Sequence, residues 1–185
     1  MIEASALRQG NVFEMDGDLF RVLTFQSTHM GRGGATVRVK LRNLRSGATI
    51  ERTFGPDERF QDVRLESRQV QYLYNDGSLY YFMDTETYEQ PAIAASVLGD
   101  RAQFLKENAL LDIAFYDTEP VEIELPVTVD LKVVHTEPGF AGDTAQGATK
   151  PAQTETGVVV QVPLFVNEGD VIRVDTRSGS YLTRV

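Results

Sequence analysis

Turn signals of the kind that close β-hairpins recur along this chain between short runs of alternating apolar and polar residues, and that recurrence confines it to an all-β architecture. Asp16-Gly17-Asp18 separates Asn11–Met15 from Leu19–Leu23, and Asn75-Asp76-Gly77 separates Val70–Tyr74 from Leu79–Met83. Arg177-Ser178-Gly179 precedes a last strand over Ser180–Thr183. From Thr36 to Leu41 the alternation is strict, with Val37, Val39 and Leu41 on one face and Arg38 and Lys40 on the other. Arg42 continues the basic face, and Ser46-Gly47 turns the chain into Thr49–Phe54. Further strands are expected at Thr87–Gln90, Leu110–Tyr116, Val121–Leu125, Val127–Thr136, Lys150–Thr154, Val158–Val162 and Val171–Asp175. One stretch, Asp100 to Asn108, predicts a helix, because Ala102, Leu105 and Ala109 recur at a spacing of three to four with Asp100 placed to cap it.

The strands fall into three sets, over residues 1–64, 65–127 and 128–185. The first reads as a small, strongly bent β-barrel. The second has about five strands and one short helix, the complement of an OB-type barrel, and the third repeats the theme. Modules of about 60 residues bury only about 60% of their extended-chain surface, so the three are expected to pack against one another.

Charge is partitioned along the same lines. The chain has a formal net charge of -9, yet residues 1–64 hold 10 Lys/Arg against 8 Asp/Glu, a net of +2, whereas residues 65–128 hold 3 against 12, a net of -9. From Leu19 to Ile50 there is no acid at all, and six bases stand there: Arg21, Arg32, Arg38, Lys40, Arg42 and Arg45. Within that stretch Met30-Gly31-Arg32-Gly33-Gly34 places one long cation between glycines at a hairpin tip. The backbone can turn tightly there and approach another surface closely. A clean cationic region in an acidic chain predicts a polyanionic partner.

Several classes of function are excluded or disfavoured. With no cysteine there are no disulfides, thiolate metal sites or cysteine nucleophiles. No stretch approaches the ~20 apolar residues that span a bilayer, and Met1–Ser5 does not begin a secretory signal, so a soluble cytoplasmic protein is expected. Gly31-Arg32-Gly33-Gly34 is not a dinucleotide fingerprint, and Gly147-Ala148-Thr149-Lys150-Pro151 lacks the spacing of a phosphate loop. His29 and His135 have no metal-ligand spacing. Glu122 and Glu124 share a strand face as hydrolytic carboxylates do, but alternating polar residues on an exposed strand explain them better. No catalytic residue, metal ligand or cofactor is expected. A general RNA-binding or chaperone protein of OB modules is the competing reading. It is disfavoured because Tyr72, Tyr74, Tyr80, Tyr81 and Phe82, the stacking platform it needs, lie in the acidic third. A β-rich glycosidase comes third.

The finger Gly31-Arg32-Gly33-Gly34-Ala35, the tripeptide Gly142-Asp143-Thr144, and the run Lys150-Pro151-Ala152-Gln153-Thr154-Glu155-Thr156-Gly157 followed by Val158 to Gly169 resemble the bacterial translation elongation factor P family. Asp175-Thr176-Arg177 and Tyr181 resemble its ending, and the likeness covers the whole chain. The resemblance implies an SH3-like (KOW-like) barrel followed by two OB domains in an L-shaped, tRNA-like arrangement. It further implies a monomer that binds the 70S ribosome between the peptidyl-tRNA and exit-tRNA positions and promotes peptide bonds at consecutive prolines. Arg32 would contact the acceptor end of peptidyl-tRNA, with Met30, Gly31, Gly33 and Gly34 forming its loop. Arg38, Lys40 and Arg42 would face the backbone of ribosomal RNA or tRNA, and Gly142, Asp143 and Thr144 the messenger on the small subunit. Many members carry a lysine at the fingertip that an enzyme extends. Some with arginine are rhamnosylated, usually with Asn after the Arg where Gly33-Gly34 stands here. Arg32 is therefore expected to act either bare or sugar-modified, the latter through a rhamnosyl-transferring enzyme.

Overall fold

A computed structural model describes residues 1–29, 31–139 and 147–185, and in them the chain is built almost entirely of strands. The first sheet contains β1 (Ile2–Glu3), β2 (Val12–Met15), β3 (Asp18–His29), β4 (Ala35–Asn43), β5 (Thr49–Phe54) and β6 (Arg59–Val63), in the order β1-β6-β2-β3-β4-β5. Met15 pairs with Asp18, which leaves Asp16 and Gly17 as a two-residue turn with φ of 53° and 81°. Positive φ at both central residues matches the right-handed twist of the flanking strands. Side chains on the concave face make the first core, where the Phe13 and Phe60 rings lie 4.8 Å apart and Phe54 and Phe60 4.7 Å apart. The hairpin signals anticipated β2 to β5; β1 and β6 carry no strict alternation and were not expected.

The middle sheet contains β7 (Glu66–Asn75), β8 (Leu79–Asp84), β9 (Ala92–Ala94), β10 (Leu110–Tyr116) and β11 (Glu119–Glu124), in the order β11-β10-β7-β8-β9. The last contains β12 (Thr128–Thr136), β13 (Thr149–Thr154), β14 (Val159–Pro163), β15 (Val171–Asp175) and β16 (Tyr181–Arg184), in the order β14-β13-β12-β15-β16. Both sheets therefore have the same permutation, and in each the two end strands approach one another, so both curl into barrels of OB type.

Two expectations for the middle module are corrected. Thr87–Gln90 is a turn, not a strand: the Asp84 carboxylate accepts the amides of Glu86 and Thr87 at 2.8 and 3.1 Å, and Tyr88 takes a φ of 62°. The third strand is the later, shorter β9. The helix expected from Asp100 to Asn108 is instead a single helical turn, α1 (Ala95–Leu98), followed by a 3-10 segment over Gly99–Phe104. Gly99, at φ 55°, breaks the two apart, and Asp100 makes no cap. The apolar spacing is real but serves two cores. Leu105 and Ala102 pack into the middle barrel, whereas Phe104, 5% exposed, inserts among Leu131, Val133, Val160 and Ile172 of the last one.

Phe104 thus joins the second and third modules, and Lys106 and Glu155 add an ion pair at 3.2 Å. The first and second modules meet through Val12, Leu19, Leu44 and Val63 against Ala114 and Val121. The backbone of Gly47 closes this joint so tightly that a Cβ there would stand 2.8 Å from the Ser96 carbonyl oxygen.

Candidate nucleic-acid interface

The finger is the far end of the β3–β4 hairpin. Pairing runs from Phe20–Asn43 out to His29–Ala35, with one irregularity between Val22 and Thr24. Near the tip the Thr28 and Thr36 hydroxyls bond across the strands at 2.8 Å, so the ladder stays closed to its end. Gly31 to Gly33 form a 3-10 turn, and Gly31 and Gly34 take φ of 41° and 82°. An L side chain is strained at those angles. Around Gly31, Gly33 and Gly34 there is open space, and Arg32 is exposed between them. Met30 lies outside the described residues.

The bases of the acid-free stretch divide into two sets. Arg32, Arg38 and Lys40 are exposed. Arg38 donates to Glu51 at 2.7 Å, both side chains being more than half exposed. Hydrogen bonding and then charge attraction from Arg38 hold the Glu51 carboxyl below its ordinary range. A pair so exposed contributes little to stability, because water and salt screen it, and Arg38 can exchange Glu51 for a phosphate at small cost. Lys40 lies opposite Glu51 on the same face.

Arg21, Arg42 and Arg45 instead turn toward the middle module. Arg21 pairs with Glu122 at 2.6 Å, Arg45 with Glu119 at 3.1 Å, and Arg42 donates to the Val97 carbonyl at 3.1 Å. Glu122 is buried rather than on an exposed strand as expected, and Arg101 reaches its other oxygen at 3.2 Å. For two of the six bases, Arg21 and Arg45, the anion is thus an acid of the second third of the same chain, and Arg42 is taken up there by a backbone carbonyl. The sequence holds the signal, a net of +2 in one third beside -9 in the next, but not which bases pair internally.

Gly142, Asp143 and Thr144 lie outside the described residues. The chain leading to them is firmly held: the buried Lys150 donates to the Glu137 carbonyl at 2.6 Å, and Gly139 packs against Leu164 with no room for a Cβ. Several residues that carry the resemblance are structural. The Thr176 hydroxyl donates to the Pro126 carbonyl at 2.5 Å. Arg177 holds the Asp175 carboxyl down at about 2, chiefly by direct hydrogen bonding. Among the described residues no group of three or more His, Asp or Glu side chains could hold a metal ion, and no helix is long and apolar enough to cross a membrane.

Comparison with known proteins follows the three modules. A family model described as the Elongation factor P (EF-P) KOW-like domain matches residues 3–60, the Elongation factor P (EF-P) OB domain matches 65–123, and Elongation factor P, C-terminal, matches 129–184. Elongation factor P of Thermoanaerobacter sp. is 52% identical over 185 residues, and that of Acetivibrio thermocellus 51% identical; in each case 100% of both chains is covered. With all three modules matched in order and half the residues shared along its whole length, this chain belongs to the elongation factor P family of translation factors.

Proposed function

We propose that the protein enters the cytoplasmic 70S ribosome between the peptidyl-tRNA and exit-tRNA positions and speeds peptide-bond formation at consecutive prolines. The supporting observation is a single exposed guanidinium, Arg32, carried at the end of a closed two-stranded arm with open space around its flanking glycines. Proline fixes φ and restricts the residue before it, so a nascent proline run holds the reacting ester in a poor geometry. Misplacement by about 1 Å costs ~100-fold in rate. Arg32 restores the geometry by donating hydrogen bonds to the acceptor end of peptidyl-tRNA, either bare or carrying a sugar. Arg38 and Lys40 bind the neighbouring RNA backbone, and Gly142-Asp143-Thr144 meets the messenger. The protein performs no covalent chemistry; the ribosomal RNA makes the bond.

The test is reconstituted translation of two reporters, one encoding consecutive prolines and one without them. The protein should raise synthesis of the first alone. Equal stimulation of both would favour a general RNA chaperone and overturn the proposal.

A further inference from the structure

Arg21 and Arg42 stand directly opposite one another on β3 and β4, and like charges so placed repel in isolation. The middle module resolves the conflict. Glu122 Oε2 accepts Arg21 Nε at 2.8 Å, and its Oε1 accepts Arg101 Nη1 at 3.2 Å. The Val97 carbonyl accepts Arg42 Nη2 at 3.1 Å. Two guanidiniums therefore converge on one carboxylate whose side chain is only 11% exposed, and the third, Arg42, shares the Val97 carbonyl with Arg101 beside them. Burial, and then the charge of Arg42, push the Arg101 pKa down, and its buried Nε has no hydrogen-bond partner among the described residues. Without Glu122 this cluster would be a knot of unopposed positive charge.

The joint has two parts with different physics. Its apolar part, Val12, Leu19, Leu44 and Val63 on Ala114 and Val121, holds the modules together but is non-directional. Charge-assisted hydrogen bonds are directional and fix geometry. That matters because the finger is a lever. From Arg21 to His29 the strand advances about eight residues, or ~27 Å at ~3.4 Å each, so a tilt of only ~2° at the joint moves the tip by ~1 Å.

We propose that Glu122 is a positioning residue for Arg32: by bridging Arg21 of the finger module and Arg101 of the middle module it sets the angle at which the finger is presented. The inference rests on the ribosomal reading for its effect on rate, while its geometric half stands without ribosomes. Because the chain has no cysteine, Ser27→Cys and Glu86→Cys place two spin labels cleanly, one on the finger and one on the middle module. In the unmodified joint the label separation should be narrow. Glu122→Gln, the same size without the charge, should broaden or shift it by several ångströms. In reconstituted translation Glu122→Gln should slow proline–proline bond formation at least ~tenfold at saturating factor, given ~100-fold per ångström of misplacement. Glu122→Asp should recover part of both losses. If Glu122→Gln does not fold, Arg21→Gln, which keeps Glu122 paired with Arg101, serves in the same two assays. An unchanged separation overturns the positioning role whatever the ribosome result. A changed separation with unchanged rate shows that the joint angle does not matter to the finger, and overturns the proposal while leaving the ribosomal reading intact. No stimulation by the unsubstituted protein defeats the ribosomal reading and the rate effect that rests on it, while the label separation still decides the geometric half.

Discussion

Replacing Phe104 by alanine tests the idea that a residue from the middle module completes the core of the last one. The ring is 5% exposed and lies among Leu131, Val133, Ala152, Val158, Val160, Val162, Val166, Ile172 and Val174. Phe→Ala in a core costs about 3–5 kcal/mol, the lost transfer energy plus a cavity that relaxes only in part. The site borders Gly179, where an added Cβ would lie 3.8 Å from the ring edge, so the turn can partly collapse and the lower figure, about 3 kcal/mol, applies. At ~1.4 kcal/mol per tenfold, amide exchange in β12, β13 and β15 should accelerate by roughly 100-fold under conditions where exchange reports opening. Amides of β3 and β4, which share no core contact with Phe104, should keep their rates. An acceleration below about threefold in the last barrel, or an equal acceleration in all three modules, would refute the assignment.

Lys40→Ala should flatten the salt dependence of ribosome binding by about 0.7–0.9 in log–log slope, as expected for one lost phosphate contact. Arg42→Ala, whose guanidinium is taken up by Val97, should leave that slope unchanged, as measured by co-sedimentation at several salt concentrations. Gly139→Ala brings a Cβ to 2.8 Å from Leu164 and should cost about 1–3 kcal/mol by overpacking, read from denaturant midpoints. Asp175 titrates at about 2 against an ordinary 3.8, so its contribution is complete above about pH 4 and fades as pH falls through about 2. Carboxyl NMR titration should show that Arg177→Ala returns Asp175 part of the way toward 3.8 and shrinks this step, since the backbone amide of residue 177 still donates to the carboxylate.

The legible part of the fold was the part written in local alternation and turn chemistry. The Asp16-Gly17 turn, the alternation of Val37, Val39 and Leu41, and β10 at Leu110–Tyr116 stand where the residues alone put them. What escaped was set by distant partners. β6 is a strand because β1 and β2 pair with it. The stretch after Gly99 splits its apolar residues between two cores, so its period reads as a helix that does not form. The fingertip could be read as a glycine-flanked arginine on a hairpin. The fate of Arg21, Arg42 and Arg45 could not, because the carboxylates and carbonyl that receive them lie more than fifty residues along the chain.

On the proposed reading, Arg32 orients the acceptor end of peptidyl-tRNA and does not anchor the protein to the ribosome. Single-turnover formation of a proline–proline bond, measured with saturating factor and with ribosome occupancy determined in the same samples, tests it most directly. Arg32→Ala should still occupy the ribosome yet react at the rate seen with no factor present. Full stimulation by the bound alanine variant would contradict it.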